Sequence, residues 1–156
     1  MIRDYMAIIY LGDANENISP LTKDRTLASV PVGGSYRIID FSLSNVVNAG
    51  IRNVGLFCGN EGLNSLTDHI GMGAEWDLAR KKDGIFIFKQ MLDPTFASNQ
   101  SRIRKNMEYF FRSSQTEIVV LNAHMLCNLD VADLIEKHEA SGREITMVYK
   151  KVKNAN

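Results

Sequence analysis

The chain has only two cysteines, Cys58 and Cys127, far apart and without the spacing of metal ligands. That excludes a disulfide-stapled secreted scaffold and a cysteine-based zinc site. Two thiols beside seven methionines suit a reducing cytosol, and a cytoplasmic location is expected. A net charge is also lacking, because 18 Lys and Arg balance 18 Asp and Glu. No overall pull toward nucleic acid or an anionic membrane follows from such a balance. Long apolar runs are missing too. The first, Met6–Leu11, has six residues, too few for a signal-peptide core or a membrane span. There is no internal repeat, low-complexity tract or linker-like stretch.

What is present is ordinary globular material. Apolar residues make up 45% and charged residues 23% of 156 residues, enough for one domain with a sizeable core. Continuous apolar runs predict strands buried on both faces at Met6–Leu11, Asn53–Cys58, Ile85–Phe88, Glu117–Leu121 and Ile145–Tyr149. Helices are predicted between them. Ile39–Ala49 stops at Gly50, where glycine reaches the left-handed conformation at no steric cost. Ser98–Arg112 aligns Ile103, Met107 and Phe110 on one stripe. Val131–Ser141 aligns Val131, Leu134, Ile135 and His138, and stops at Gly142.

Strands alternating with amphipathic helices predict an α/β fold with a mostly parallel, doubly wound sheet. Ligands of such sheets sit at the carboxyl ends of the strands. The loops after Leu11, Cys58 and Leu121 are therefore where chemistry is expected. The pattern breaks off after the run at Ile145–Tyr149, which suggests a piece of a longer protein.

One stretch carries more than periodicity. Pro20-Leu21-Thr22, Arg25, Val30-Pro31, Gly33-Gly34, Tyr36 through Phe41, Leu43-Ser44-Asn45 and Asn48-Ala49-Gly50-Ile51 follow one another in order. This string resembles the N-terminal part of glucose-1-phosphate adenylyltransferase, the ADP-glucose pyrophosphorylase of bacterial glycogen synthesis. The resemblance runs from Tyr10 to the end of the chain. It implies a Rossmann-like nucleotidyltransferase domain, here incomplete at its C-terminus, and the absence of the left-handed β-helix that follows in the family.

The departures fall where that family does its chemistry. Nucleotidyl transfer needs amides and a cation around a triphosphate, a divalent metal bridging phosphates, and a slot for the base. The family's loop after strand one, Leu-Ala-Gly-Gly-Arg-Gly-Ser-Arg-Leu, lies opposite Tyr10–Ile18. Of its glycines only Gly12 remains. Asp13 and Asn15 replace the other two, and Ala14 and Asn17 replace the arginines. Asp13 and Glu16 would set negative charge beside any phosphate, worth about 1–4 kcal/mol at 4 Å.

The family's Arg-Ala-Lys-Pro appears as Arg25-Thr26-Leu27-Ala28, so the lysine that would face phosphate is Leu27. Its base-reading glutamine aligns with Asn60, which has the same amide on a shorter stem. Its magnesium-binding aspartate aligns with His124, and an imidazole is a poor ligand for so hard an ion. Ser98–Ile103 replaces Gly-Thr-Ala-Asp-Ala-Ile. The basic groups Arg80-Lys81-Lys82 and Arg102, Arg104, Lys105 read as solvated faces.

What persists is apolar framework; what changes is phosphate, metal and base contact. The resemblance therefore implies a degenerate nucleotide pocket at Gly12, Asp13, Asn17, Arg25, Leu27, Asn60 and His124, with no catalytic or metal-binding residue. It points to a noncatalytic, GlgD-type subunit that supports a catalytic adenylyltransferase subunit in a hetero-oligomer. No cofactor is expected on this chain, although the family uses Mg2+ with ATP, and neither nucleic acid nor membrane is an expected partner. An active adenylyltransferase with altered ligands, or a module sensing a nucleotide or sugar phosphate, are the alternatives.

Overall fold

The computed structural model describes residues 1–11, 18–58, 62–89, 107–124 and 126–151. Among these residues four strands make one sheet: β1 (Tyr5–Tyr10), β4 (Asn53–Cys58), β5 (Gly84–Lys89) and β6 (Glu117–Asn122). Their order is β5-β4-β1-β6, and every pairing is parallel. The register sets Ile8 against both Gly55 and Val120, and Tyr10 against both Phe57 and Asn122. Strands β1 and β4 lie at the centre and are buried almost throughout, which is why both read as unbroken apolar runs.

Helices cover both faces, as a doubly wound sheet requires. Alternate residues of β1 and β4 (Ala7 and Ile9, Val54 and Leu56) enter the larger core cluster. They share it with Ile39, Leu43 and Val46 of α2 (Ile38–Asn48), and with Leu63, Leu66 and Ile70 of α3 (Leu63–Ile70). Val131 and Ile135 of α5 (Val131–Ser141) complete it. The opposite face collects Met6, Ile8 and Phe57 under Tyr109 of α4 (Met107–Arg112). Gly55 makes that packing possible: a Cβ there would come within 2.9 Å of the Tyr109 ring.

Between β1 and α2 the described residues form α1 (Ser19–Thr22), a 3-10 turn at Leu27–Ser29, and a hairpin of β2 (Pro31–Val32) and β3 (Tyr36–Arg37) turning through Gly33 and Gly34. Since β4 begins within a few residues of the end of α2, that helix runs back along the sheet and its N-terminus lies toward the carboxyl edge of the strands.

The expected helices over Ile39–Ala49 and Val131–Ser141 are present, the first shifted by one residue. Gly50 and Gly142 take φ of 92° and 59° as their stops. Of the helix expected over Ser98–Arg112, the described part is Met107–Arg112.

One expectation is wrong. Ile145–Tyr149 forms no strand; Ile145, Met147, Val148 and Tyr149 are 55–82% exposed. Apolar, β-branched residues confer only propensity, whereas a strand needs a neighbour for its backbone groups. Among the described residues none pairs with this segment. The hydrogen bond of Thr146 Oγ1 to His138 Nδ1, at 2.8 Å, ties it to α5. Helix α3 was not anticipated: Gly62 gives it no side-chain cap, and only the spacing of Leu63, Leu66 and Ile70 signals it.

Candidate nucleotide pocket

The carboxyl ends of three strands meet at one edge. The Leu11 N–H donates to the Phe57 carbonyl at 3.0 Å, and the Ala123 N–H donates to the Tyr10 carbonyl at 2.7 Å. The loops leaving β1, β4 and β6 therefore start side by side, as the sequence predicts. Gly12, Asp13, Asn17 and Asn60 lie outside the described residues; Arg25, Leu27 and His124 are within them.

Leu27 does not face an open pocket. It begins a buried 3-10 turn, Leu27–Ser29, and packs at 9% exposure with Val30 and Ile38, flanked by Ile18 and Val32. The turn is closed by Ser29 N–H to Thr26 O and Val30 N–H to Leu27 O, both 3.0 Å. A buried Thr26–Ser29 hydroxyl pair at 2.9 Å braces it, and the Ile38 N–H donates to Val30 O at 3.2 Å. The position where the resemblance calls for a phosphate-facing lysine is thus part of a small apolar core. A lysine there would be desolvated, which disfavours its charged form.

Arg25, half-buried, sits where two segments meet. Gly62 follows the β4 loop at φ 68°, and a Cβ on it would fall 2.4 Å from Arg25 Cα and 2.6 Å from Thr26 N. The start of α3 therefore rests directly on the Arg25–Thr26 backbone, a contact only glycine allows. The structure brings Arg25 and Leu27 to the β4 side of the edge, while His124 is exposed in the turn after β6. Among the described residues no group of three or more His, Cys, Asp or Glu side chains could hold a metal ion. His124 itself offers an imidazole nitrogen, whereas magnesium takes oxygen ligands.

Residues that the sequence marked only as framework turn out to hold the rim. Asp40 Oδ2 accepts the Arg37 N–H at 2.9 Å, and its Oδ1 lies 2.7 Å from His69 Nε2 on α3. The Arg37 guanidinium donates to both the carbonyl and the hydroxyl of Ser65 on the same helix. Farther along α2, Asn45 donates to Cys127 O at 2.9 Å and accepts from the Leu129 N–H at 3.3 Å. Partners 28 to 84 residues away leave no trace in local sequence pattern. Near the same edge, burial raises the Cys58 thiol to about 11, and its Sγ donates to the Phe88 carbonyl. That thiol is a packed group, not a nucleophile.

A cleft of about 390 Å3 lies at the other end of the sheet, among Asp4, Tyr5, Glu117, His138 and Glu139. It opens at the amino ends of β1 and β6, away from the three loops.

A parallel sheet whose first, second and fourth strands present their loops at one edge is a doubly wound α/β domain with its ligand edge there. Residues 6–156 match the family described as nucleotidyl transferase, and the chain belongs to it. Within that family it is 40% identical over 136 residues to the glycogen biosynthesis protein GlgD of Bacillus subtilis, covering 85% of this chain and 39% of that protein. It is 37% identical to GlgD of Geobacillus stearothermophilus, again over 85% of this chain and 40% of the relative. Identity is 32% to the glucose-1-phosphate adenylyltransferase of Pseudothermotoga lettingae, over 94% of this chain and 35% of that enzyme.

The chain thus spans about two fifths of the length of these relatives. A crystal structure from Bacillus anthracis, assigned as a glucose-1-phosphate thymidylyltransferase, superposes with a TM-score of 0.70 at 16% identity. The match covers 88% of this chain and 51% of that one, and it bears on the fold alone. The resemblance to the adenylyltransferases is borne out.

Proposed function

We propose that this chain is the N-terminal portion of a catalytically impaired, regulatory subunit of glucose-1-phosphate adenylyltransferase in glycogen biosynthesis. The observation that carries this is the burial of Leu27 in an apolar cluster at the position of the family's phosphate-facing lysine. A surface lysine exchanged for a surface leucine could be compensated from a neighbour. A leucine absorbed into a core, with Ile38 and Val30 packed on it, has taken on another task. His124 in place of a magnesium ligand supports the same reading, as does the similarity to proteins named GlgD.

In this account the chain supports a catalytic sister subunit that makes ADP-glucose from ATP and glucose 1-phosphate. Magnesium enters with the nucleotide on that subunit. Coupling through a shared interface is typically about 1–3 kcal/mol, or five- to 150-fold in an equilibrium. The pair would work in the cytoplasm.

The experiment is to assay ADP-glucose synthesis by the chain in its full natural length, alone and mixed with the catalytic adenylyltransferase of the same organism. Silence alone with enhancement or altered effector response in the mixture supports the proposal. Turnover by this chain alone would favour an active enzyme with altered ligands. Nucleotide binding without turnover or any effect on the partner would favour a sensing module.

A further inference from the structure

Between β6 and α5 the described residues 123–124 and 126–130 begin at a tie to β1 and end at the cap of α5. The Ala123 N–H reaches Tyr10 O at 2.7 Å, and the Asp133 N–H reaches the Asp130 side chain at 3.0 Å. Between those anchors the brace comes from a different element. Asn45 of α2, buried to 6% exposure, donates its Nδ2 hydrogen to Cys127 O and accepts the Leu129 N–H on Oδ1. Its carboxamide thus meets the 127–129 backbone as a neighbouring peptide would, one donor and one acceptor to two groups two residues apart.

The chemistry of that match is narrow. Leucine would leave both backbone groups without this partner, and aspartate would set a carboxylate against the Cys127 carbonyl. Glutamine carries the same amide one methylene too far. The helix that makes this contact also holds α3 through Asp40, so the rim segments on either side of β1 are registered on one rigid rod.

We infer that Asn45 is a positioning residue: it sets residues 127–129, and with them His124 at the end of β6, at the carboxyl edge of the sheet. The inference rests on the reading of that edge as the pocket, but its test uses no nucleotide and stands apart from the test of that reading.

Histidine imidazole spectra and amide hydrogen exchange would be recorded for the wild type, Asn45→Ala and Asn45→Asp, together with thermal unfolding. In Asn45→Ala the Leu129 amide should exchange at least tenfold faster and the His124 resonances should move, while Ile8 and Leu56 in the central strands keep their relative protection and His69 its resonances. In Asn45→Asp, which retains an acceptor, Leu129 should stay closer to wild type while His124 still moves. If Asn45→Ala does not fold, Asn45→Asp alone decides, through the His124 shift. A uniform loss of protection in proportion to stability, with His124 unmoved, would show an ordinary buried amide and overturn the inference.

Discussion

Asp40 Oδ1 and His69 Nε2 lie 2.7 Å apart and join α2 to α3 next to the loop that leaves β4. The same carboxylate accepts the Arg37 N–H at the start of α2, so one side chain both caps a helix and fixes its neighbour. Replacing it by alanine removes both at once. Asp40→Ala should cost about 2–4 kcal/mol, the sum of a lost cap and a lost buried charged hydrogen bond. His69→Ala, which leaves the cap intact, should cost less, and urea denaturation of the two variants orders them.

Leu27→Lys restores the residue the family carries but not its environment. The ammonium would enter the cluster of Val30, Ile38, Ile18 and Val32. Burial holds a lysine neutral and depresses its folded pKa, so the unfolded chain binds the extra proton between that value and about 10.4. The variant should therefore be less stable than wild type by at least ~2 kcal/mol at pH 7, with the deficit shrinking as pH rises toward 10. Denaturation curves at pH 7 and 9.5 check the sign.

Gly62 and Gly142 share nearly the same backbone conformation, with φ of 68° and 59°, but not the same surroundings. A Cβ on Gly142 meets nothing within 4 Å, whereas on Gly62 it strikes the Arg25–Thr26 backbone. Gly142→Ala should cost only the left-handed strain, about 1 kcal/mol. Gly62→Ala should cost more than twice as much and alter the spectra of residues 25–30. Equal costs at the two positions would mean that the close approach of α3 to Arg25 is absent in solution.

Burial also sets an alkaline limit. The Cys58 thiol is raised from 9.0 to about 11, so between those values the unfolded state has lost its proton while the folded state keeps it. Stability from this group is complete below pH 9 and falls as pH rises to 11, with a slope of up to about 1.4 kcal/mol per pH unit. Tyr109 is raised likewise by burial beneath the sheet and extends the decline above pH 10. Cys58→Ala should flatten the slope between pH 9 and 11, and Tyr109→Phe the slope above it, measured as denaturation midpoints against pH.

Much of this fold was legible because central parallel strands and capped helices write themselves locally. Helix α5 has the same bounds in pattern and in structure, Val131–Ser141, since an apolar stripe and a terminal glycine are short-range signals. Ile145–Tyr149 failed for the opposite reason, because pairing depends on a neighbour no local pattern contains. The candidate site divides in the same way. Arg25, Leu27 and His124 were marked by their departures from a family pattern. That Leu27 is packed away in a core, and that Asp40 and Asn45 hold the rim, depends on contacts with residues far along the chain.

The most direct test is a calorimetric titration of magnesium-ATP into the folded protein in its full natural length, in the absence of any catalytic partner. No saturable heat is expected up to low millimolar nucleotide, because the residue at the place of the cation that would meet the triphosphate is a leucine in an apolar core. Saturable binding in the micromolar to low millimolar range would contradict the loss of that triphosphate site.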